Sequence, residues 1–470
     1  MEPTALAFKD NARKAIANPD LQDALGRIRS GWQVTRRRAA LALDEFEALR
    51  DRGRDIKNHT LAHLDLYLEA FEAKVEENGG RVHWARDAAE ARTVVRDICK
   101  EAGAKTVTKS KSMVTEEIAL NPYLEANGLT PVETDLGEWI LQVSGQAPSH
   151  LVGPVVHLTK PEIAGIMQKE LGGPRLETAE EMVGAARRVL RQKYQDADVG
   201  ITGANFLVAE TGTAITVTNE GNAELTHGLP RVHVVIATIE KLVPRMLDAF
   251  TLLRLLARSA TGQEFTSYTT LVSGPKGKGD LDGPEAFHVV LLDNGRTKML
   301  GTAFQEMLRC IKCGACMNHC PVYLAAGGHS YGWVYPGPMG SVLTPQLLGI
   351  EKAHPLPNAS TFCGRCEEVC PVRIPLPRLM RLWREEAFRR DLVPPTARRG
   401  LRLWGWLAAR PALYRRAAGL ASGALRLLGG RRGRLRRLPL AGGWTGSRDL
   451  PAPEGGTFMA AWKRQQGRRP

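Results

Sequence analysis

The chain has 470 residues, of which 43% are hydrophobic, so it can build two or three domains with sizeable cores and is not a disordered protein. Its formal net charge of +14 is concentrated at the carboxyl end. From Arg378 onward 22 Lys and Arg stand against 5 Asp and Glu, whereas residues 1–377 carry 42 against 45. No secretory signal pattern opens the sequence and no apolar run reaches membrane-spanning length, so we expect a cytoplasmic protein and not an integral membrane protein.

Residues 1–77 are predicted to form a helical amino-terminal segment. Apolar residues recur at helical spacing in three stretches, around Leu25, Phe46 and Leu68. Asn78-Gly79-Gly80 then interrupts this pattern and marks the end of the segment.

Residues 78–297 are predicted to form an α/β domain, because short strand-like and longer helix-like segments alternate there. Strands are expected at 81–85, 106–108, 131–134, 199–207, 213–218, 231–236 and 287–292. The segments 199–207 and 213–218 predict a β-hairpin, so the sheet is expected to be mixed and not purely parallel. Neither GxGxxG after a strand nor GxxxxGK[ST] occurs, which argues against a nucleotide site.

Two polar loops of this domain follow strands: Lys109-Ser110-Lys111-Ser112 and Thr218-Asn219-Glu220-Gly221-Asn222-Ala223-Glu224. Ligands of α/β domains bind at strand ends, so a cationic loop facing an Asn/Glu loop is a candidate site for a small carboxylate. In the simpler interpretation the serines cap a helix and Gly221 forms a turn. Glu220 and Glu224 are the loop candidates for the glutamyl nucleophile of an acyl-CoA transferase.

Other residues of metal-binding type in this domain are isolated. His157, His227 and His233 lack the close spacing of metal ligands. Cys99 lies in an apolar pattern of helical period and is expected to be a buried core thiol.

The remaining seven of the eight cysteines form two blocks, Cys310-x2-Cys313-x2-Cys316-x3-Cys320-Pro321 and Cys363-x2-Cys366-x3-Cys370-Pro371. This spacing is typical of a ferredoxin that holds two cubane iron–sulfur clusters. A zinc ribbon uses two CxxC pairs for one tetrahedral site and has no need of the third and fourth cysteines of the first block. We therefore predict a ferredoxin-type, α-helical module with two [4Fe-4S] clusters at residues 298–392, and electron transfer as the leading function.

In a bacterial ferredoxin run the cysteine before proline binds the other cluster. Crossed ligation assigns cluster 1 to Cys310, Cys313, Cys316 and Cys370, and cluster 2 to Cys320, Cys363 and Cys366. Cluster 2 then lacks one thiolate, and Ser360 stands where the first cysteine of its block is expected. A four-iron cluster with three cysteines is our hypothesis. The fourth position is open to the Ser360 oxygen, to water or hydroxide, or to a partner residue, unless one iron is lost or Ser360 is an ordinary loop serine.

Residues 393–470 form a basic carboxyl-terminal region in which arginine pairs alternate with tryptophan and leucine. Such a segment suits peripheral contact with an anionic membrane surface or docking to an acidic partner subunit, or is an arginine-rich solvated face without a ligand. Nucleic acid is not expected as a partner.

Nearly end to end, the chain resembles the lactate utilization protein B family, iron–sulfur proteins of bacterial lactate oxidation. The resemblance rests on both cysteine blocks in this order, on Lys109-Ser110-Lys111-Ser112-Met113, Thr211-Gly212-Thr213 and Asn219-Glu220-Gly221-Asn222, and on Tyr335-Pro336-Gly337-Pro338-Met339-Gly340. The second block, short of one cysteine, is also as expected in that family.

The resemblance implies a fold, a function and partners. The central domain is expected to be similar in fold to sugar isomerases and coenzyme A transferases of the NagB/RpiA type. The chain is expected to pass electrons during oxidation of L-lactate to pyruvate, beside a cysteine-rich subunit and a second subunit with a lactate-utilization domain. Two other functions remain open: catalysis by the α/β domain on a small carboxylate or acyl-CoA, and a membrane or partner scaffold through the basic region.

Overall fold

The computed structural model describes residues 3–438, 441–446, 448–454 and 456–466. The chain forms two compact units, residues 1–387 and residues 388–470. All eight cysteines belong to the first unit. Of the predicted basic region, residues 439, 440, 447, 455 and 467–470 lie outside the described part of the chain. The domain boundaries at 77/78, 297/298 and 392/393 stay predictions.

The first unit begins with five helices, as its helical periodicity predicts. They are α1 (Phe8–Ile16), α2 (Pro19–Ser30), α3 (Trp32–Leu41), α4 (Phe46–Ala62) and α5 (Leu64–Glu77). The start of helix α2 follows from its local sequence. Pro19 occupies the first turn, and the Asn18 side chain caps the helix by accepting a hydrogen bond from Leu21 N at 3.2 Å. The apolar stripes of the helices are buried, for example at Leu25 and Phe71.

Ten strands and eight helices follow between residues 81 and 292. The strands are β1 (Arg81–Ala85), β2 (Thr106–Lys109), β3 (Thr130–Glu133), β4 (Val199–Gly203), β5 (Phe206–Val208), β6 (Thr213–Thr218), β7 (Val232–Thr238), β8 (Leu242–Val243), β9 (Tyr268–Val272) and β10 (Ala286–Leu292). The helices are α6 (Ala88–Glu101), α7 (Met113–Glu117), α8 (Leu120–Ala126), α9 (Leu136–Ser144), α10 (Lys160–Leu171), α11 (Ala179–Gln195), α12 (Asn222–Gly228) and α13 (Met246–Ala260). The α/β class is confirmed.

Six strands form a parallel sheet in the order β1-β10-β7-β4-β2-β3. Strands β7 and β10 are almost continuously apolar, because helices cover both faces of the sheet. Val95 and Cys99 of α6 pack in the core on one face, and Phe71 and Val75 of α5 in the core on the other. Cys99 is therefore the buried thiol that its apolar pattern predicts.

The prediction of one mixed sheet is wrong. The other four strands form a second sheet, β8-β5-β6-β9, in which β6 is antiparallel to both of its neighbours and β8 is parallel to β5. The predicted strand 199–207 divides into β4 and β5, one in each sheet, and the hairpin consists of β5 and β6. The division occurs at Asn205, whose side chain accepts a hydrogen bond from Val217 N at 3.0 Å and whose backbone N donates to Ile215 O at 2.7 Å, so the chain pairs with β6 from there onward.

The cysteine blocks lie among short helices that we call the cluster module. These are α14 (Ala315–Asn318), α15 (Tyr323–Ala326), α16 (Gly337–Leu348), α17 (Ile350–Ala353), α18 (Arg365–Glu368) and α19 (Leu376–Arg389). The amino-terminal helices hold the backbone of the second block: Arg36 donates to Val369 O at 2.9 Å, and Arg50 donates to Cys370 O at 2.8 Å. The helical segment thus fixes the position of a cysteine loop.

The second unit contains α20 (Pro395–Ala408), α21 (Pro411–Gly429), α22 (Gly442–Thr445), α23 (Phe458–Gln466) and the antiparallel pair β11 (Arg434–Leu435) and β12 (Leu450–Pro451). Large apolar side chains of α20, among them Leu403, Trp404 and Trp406, are exposed. In the described part of the chain, no helix has both the length and the hydropathy needed to span a bilayer.

Candidate functional site

Four thiols border one small cavity in the cluster module. They belong to Cys310, Cys313, Cys316 and Cys370. The rest of the wall is mostly apolar and includes Ile311, Met339, Val372 and Ile374. Lys312 and Gly314 have φ angles of +58° and +74°, so the loop turns tightly between the first three cysteines. The fold therefore brings together the set that crossed ligation assigns to cluster 1.

The chemistry of these thiols fits an iron–sulfur cluster. Burial raises the pKa of Cys313 to about 12 and that of Cys370 to about 11, so each is a thiolate only beside a positive charge such as iron. Backbone amides already point at the sulfur atoms: Lys312 N donates to Cys310 Sγ at 3.4 Å, and Ile374 N donates to Cys370 Sγ at 3.3 Å. Such hydrogen bonds tune the potential of a bound cluster.

The other three cysteines form a second group. Burial, and after it the charge of Cys320, raises the pKa of Cys366 to about 12. The charge of Cys363 raises the pKa of both Cys320 and Cys366. Cys320 and Cys366 are buried, whereas Cys363 is exposed. Among the described residues, no three His, Cys, Asp or Glu side chains lie close enough together to hold a single metal ion.

Ser360 occupies in the second block the place that Cys310 occupies in the first. Its Oγ accepts a hydrogen bond from Phe362 N at 3.1 Å, as Cys310 Sγ does from Lys312 N. Phe362 has φ +54°, matching Lys312, and the glycine after the next cysteine is left-handed in both loops. The two loops therefore share one backbone conformation, with a hydroxyl in place of one thiol.

A larger cavity, which we call the central cavity, has a volume of about 550 Å³. Its walls come from the loops after β2, β3, β4 and β7, at the carboxyl ends of the parallel strands. Ligands of parallel α/β sheets bind at this edge. The cluster module closes the cavity with Lys312, Cys313 and Tyr335. Cys313 thus borders both the central cavity and the cavity lined by thiols.

The two polar loops predicted as a site meet in the central cavity, though not with all their residues. Ser110, Lys111 and Ser112 line it from one side and Asn219, Glu220 and Asn222 from the other. Lys109 is buried elsewhere, with its Nζ 2.7 Å from Glu133 and 3.2 Å from Glu116. Burial alone would lower the pKa of Lys109, but these carboxylates, Glu133 foremost, raise it. Glu224 accepts hydrogen bonds from Thr218 and Thr270 outside this cavity.

Two of the polar side chains on the wall, Lys111 and Glu220, already have hydrogen-bond partners within the protein. Lys111 Nζ donates to Val152 O at 2.6 Å and lies 3.6 Å from Asp135. Glu220 Oε2 accepts a hydrogen bond from Leu136 N at 3.1 Å, while burial and then Asp135 raise the pKa of Glu220. Both side chains therefore shape the wall.

The polar wall residues that sequence reasoning missed include Lys241, Lys312 and Tyr335. Lys241 follows β7, and its signal was a charged Glu-Lys pair directly after a seven-residue apolar strand, at the strand end where ligands bind. Lys312 lies between Cys310 and Cys313, and the spacing of these cysteines predicts cluster ligands but gives no role to the residue between them. Lys312 Nζ lies 4.3 Å from the centre of the Tyr335 ring, a cation–π contact.

The isolated histidines have structural surroundings. His157 Nδ1 lies 2.6 Å from Ser149 Oγ, and His233 Nε2 lies 2.8 Å from Thr202 Oγ1. His227 lies beside His233, with ring centres 5.5 Å apart. Burial lowers the pKa of all three, which favours neutral rings at pH 7.

Comparison with known proteins agrees with this arrangement. Residues 68–292 match the model of the LUD domain, and residues 306–374 match that of a 4Fe-4S dicluster domain. The chain is 41% identical to "Lactate utilization protein B" of Bacillus pumilus, over 99% of each chain. It is 42% identical to the protein of that name from Geobacillus kaustophilus, over 98% of each.

A third relative, "Uncharacterized electron transport protein YkgF" of Escherichia coli, is 38% identical over 98% of this chain and 97% of its own. A solved structure, a duf162 family protein from Deinococcus radiodurans, aligns with 49% of this chain and 98% of its own at 15% identity and a TM-score of 0.26. The three relatives named from the curated proteins match this chain along almost their whole length. The chain belongs to the lactate utilization protein B family.

Proposed function

We propose that this protein is the iron–sulfur electron-transfer subunit of a complex that oxidises L-lactate to pyruvate and so allows growth on lactate. Two [4Fe-4S] clusters are its cofactors. Cys310, Cys313, Cys316 and Cys370 would hold cluster 1, and Cys320, Cys363 and Cys366 cluster 2. The family and the dicluster domain support this proposal, as does the single cavity that the first four thiols share.

The observation that carries the proposal is the position of Cys313 between two cavities. On one side lies a space of ligand size at the strand ends, and on the other lies the group of four thiols. Cys363, in the second group, is exposed to solvent. A donor in the central cavity therefore meets the first ligand set, and an acceptor at the surface meets the second.

When bound, the clusters supply one-electron carriers, which a two-electron oxidation of an alcohol requires if its electrons are to leave singly. The residues of this chain provide the surroundings. Apolar side chains line the space between the four thiols, and the backbone amides of Lys312 and Ile374 stabilise negative charge on sulfur. Arg50 supplies positive charge close to Cys370.

Further features of the assembly belong to the proposal. A cysteine-rich subunit and a second subunit with a lactate-utilization domain would be its partners, and the basic region would add peripheral membrane contact to a cytoplasmic protein. We also infer that the α/β domain is similar in fold to the NagB/RpiA type. Its parallel sheet with a ligand-sized cavity at the strand ends supports that inference.

Anaerobic reconstitution tests the proposed function. The cluster-loaded protein is mixed with its two expected partner subunits, L-lactate is added, and the clusters are followed by EPR. We expect reduction with lactate and none with pyruvate, which has no electrons to give in this reaction. A complex whose clusters stay oxidised with lactate but are reduced by dithionite would contradict the proposal.

A second candidate function, catalysis by the α/β domain, is favoured by one observation: Glu220 lines the central cavity, as a glutamyl nucleophile of an acyl-CoA transferase would. Glu220→Gln tests it. Unchanged growth on lactate and unchanged cluster reduction would remove Glu220 from catalysis.

A further inference from the structure

The end of the central cavity next to the cluster module carries two lysines whose ammonium groups form no ion pair with a described carboxylate. Lys241 is 7% exposed, and in the described part of the chain its Nζ makes neither a hydrogen bond nor an ion pair. The neighbouring Glu240 carboxylate lies 2.9 Å from Arg296 and attracts both lysines only through its longer-range charge. Lys312 Nζ lies over the face of Tyr335, and the described residues offer it no ion pair. These two lysines act on each other through their charge, so they lie near one another.

A buried hydroxyl that lines the same cavity also lacks a partner among the described residues. Ser110 is 1% exposed, and its Oγ has no hydrogen-bond partner among the described residues. Buried polar atoms are almost always hydrogen-bonded, so an orphaned hydroxyl on a cavity wall indicates a group that binds there. Two unpaired ammonium groups indicate that this group is an anion.

We propose that this end of the central cavity binds the carboxylate of a small 2-hydroxy or 2-oxo acid, with Lys241 and Lys312 as cationic partners and Ser110 as a hydrogen-bonding group. The inference rests on the proposed function, which supplies the class of acid. It adds where that acid binds: on this chain, beside Cys313, and not on a partner subunit alone. The cavity is much larger than a three-carbon acid, so recognition comes from the lysines and not from the shape of the space.

The same lysines have a competing role, because four thiolates give cluster 1 a negative charge that nearby cations offset. Cys310 influences Lys241 through its charge, which fits that role as well. Lys57 provides a matched comparison. It is also buried and also lies within the influence of the Cys310 charge, but its ammonium donates to the carbonyls of Glu240 and Leu242, and it does not line the central cavity.

Binding of oxamate, a redox-inert analogue of pyruvate, separates the two roles. The cluster-loaded protein is titrated calorimetrically, and the EPR spectrum of its dithionite-reduced clusters is recorded with and without oxamate. We expect binding and a shifted cluster 1 spectrum for the wild type. Lys241→Met should weaken binding at least tenfold, Lys241→Arg should restore most of it, and Lys57→Met should bind like the wild type. Iron content checks that each variant is loaded.

Wild-type affinity in a fully loaded Lys241→Met protein would overturn the inference, even if its cluster potential had shifted, and so would absence of oxamate binding to the wild type. Ser110→Ala offers a milder variant that keeps the charges and should weaken binding severalfold. Lactate-driven cluster reduction without oxamate binding would reject this site and keep the proposed function. Binding without reduction would do the reverse.

A second inference concerns Ser360 and rests on the loop geometry alone. Its loop repeats the conformation around Cys310, including the amide that donates to the ligand-position atom. Arg384 holds this loop by donating to Ser360 O at 3.3 Å and by stacking 4.1 Å from the centre of the Phe362 ring. We infer that Ser360 Oγ is the fourth ligand of cluster 2.

Mössbauer and EPR spectra of the loaded protein test this ligand. We expect one iron of cluster 2 to differ from the others in the wild type. In Ser360→Cys this iron should become equivalent to the other three. The reduction potential of cluster 2 should rise, because sulfur is a softer donor than oxygen. Ser360→Ala should yield a three-iron cluster or a water-ligated iron, whereas Ser267→Ala, in an exposed loop, should change nothing. Identical spectra for Ser360→Ala and wild type would overturn the inference.

Discussion

Tyr335 of the cluster module donates a hydrogen bond of 2.6 Å to the carboxylate of Glu117 in the α/β domain. Glu117 is fully buried and also holds Arg296 at 2.7 Å. Burial would raise the pKa of Glu117, but Arg296 and Tyr335 together lower it, so the carboxylate is ionised. A buried anion shared by the two domains fixes the module against the wall of the central cavity.

Tyr335→Phe should therefore lower the free energy of unfolding of the loaded protein by about 1.5–3 kcal/mol, the usual range for a hydrogen bond to a charged group. Thermal unfolding measures the change. Tyr268→Phe, at a half-exposed tyrosine, is the control and should have little effect. Equal losses for the two variants would show that the contact with Glu117 adds nothing.

Crossed ligation makes a prediction about single cysteines. Cys370→Ser should damage the cluster held by the first block, and Cys320→Ser the cluster held by the second, although each residue stands in the other block. Iron content and EPR of the reduced proteins distinguish the two. Cys99→Ala removes a core thiol and should leave both signals. If Cys370→Ser and Cys363→Ser removed the same cluster, the assignment would be wrong.

The buried Glu138, which is not a cluster ligand, should make the free energy of unfolding depend on pH. Burial first, and then the charge of Glu133, raise its pKa well above the usual value. The folded state thus binds a proton that the unfolded state releases above roughly pH 4.3. The free energy of unfolding therefore falls as pH rises from there toward the folded pKa.

Glu138→Gln should remove this dependence, because a neutral amide replaces a carboxyl that the fold keeps protonated. Denaturant unfolding at several pH values should show a slope shallower by up to about 1.4 kcal/mol per pH unit. Glu125→Gln, on the exposed side of α8, serves as control and should keep the wild-type slope. A slope unchanged in Glu138→Gln would contradict the prediction.

Truncation after Leu392 tests the basic region. All seven ligand cysteines precede it, so the shortened protein should keep both EPR signals. Exposed Trp404 and Trp406 among arginines should be needed for binding to anionic vesicles, which sedimentation measures at low salt. Neutral vesicles are the control. Unchanged sedimentation and unchanged partner capture after truncation would exclude the region from both interactions.

Much of the fold was predictable because the signals are local. Apolar residues at helical spacing predict the helical character of residues 1–77, and short apolar runs between turns predict the positions of β1 to β4, β6, β7 and β10. Strands β8 and β9 were not predicted. The partition into two sheets was not predictable, since 199–207 reads as one strand. Strand β5 separates from β4 where Asn205 bonds Ile215 and Val217 of β6, and these contacts depend on strand pairing that no local pattern specifies.

The sequence by itself determined the cofactor class and the family, because the geometry of an iron–sulfur cluster fixes how far apart its cysteine ligands stand along the chain. The tertiary structure decided what surrounds those cysteines. Lys241 and Lys312 are 71 positions apart in the numbering, and Ser110 is further still, yet all three line one cavity. The carboxyl ends of parallel strands lie at one edge of the sheet, and the cluster module covers that edge. Residues far apart in the sequence therefore line the same cavity.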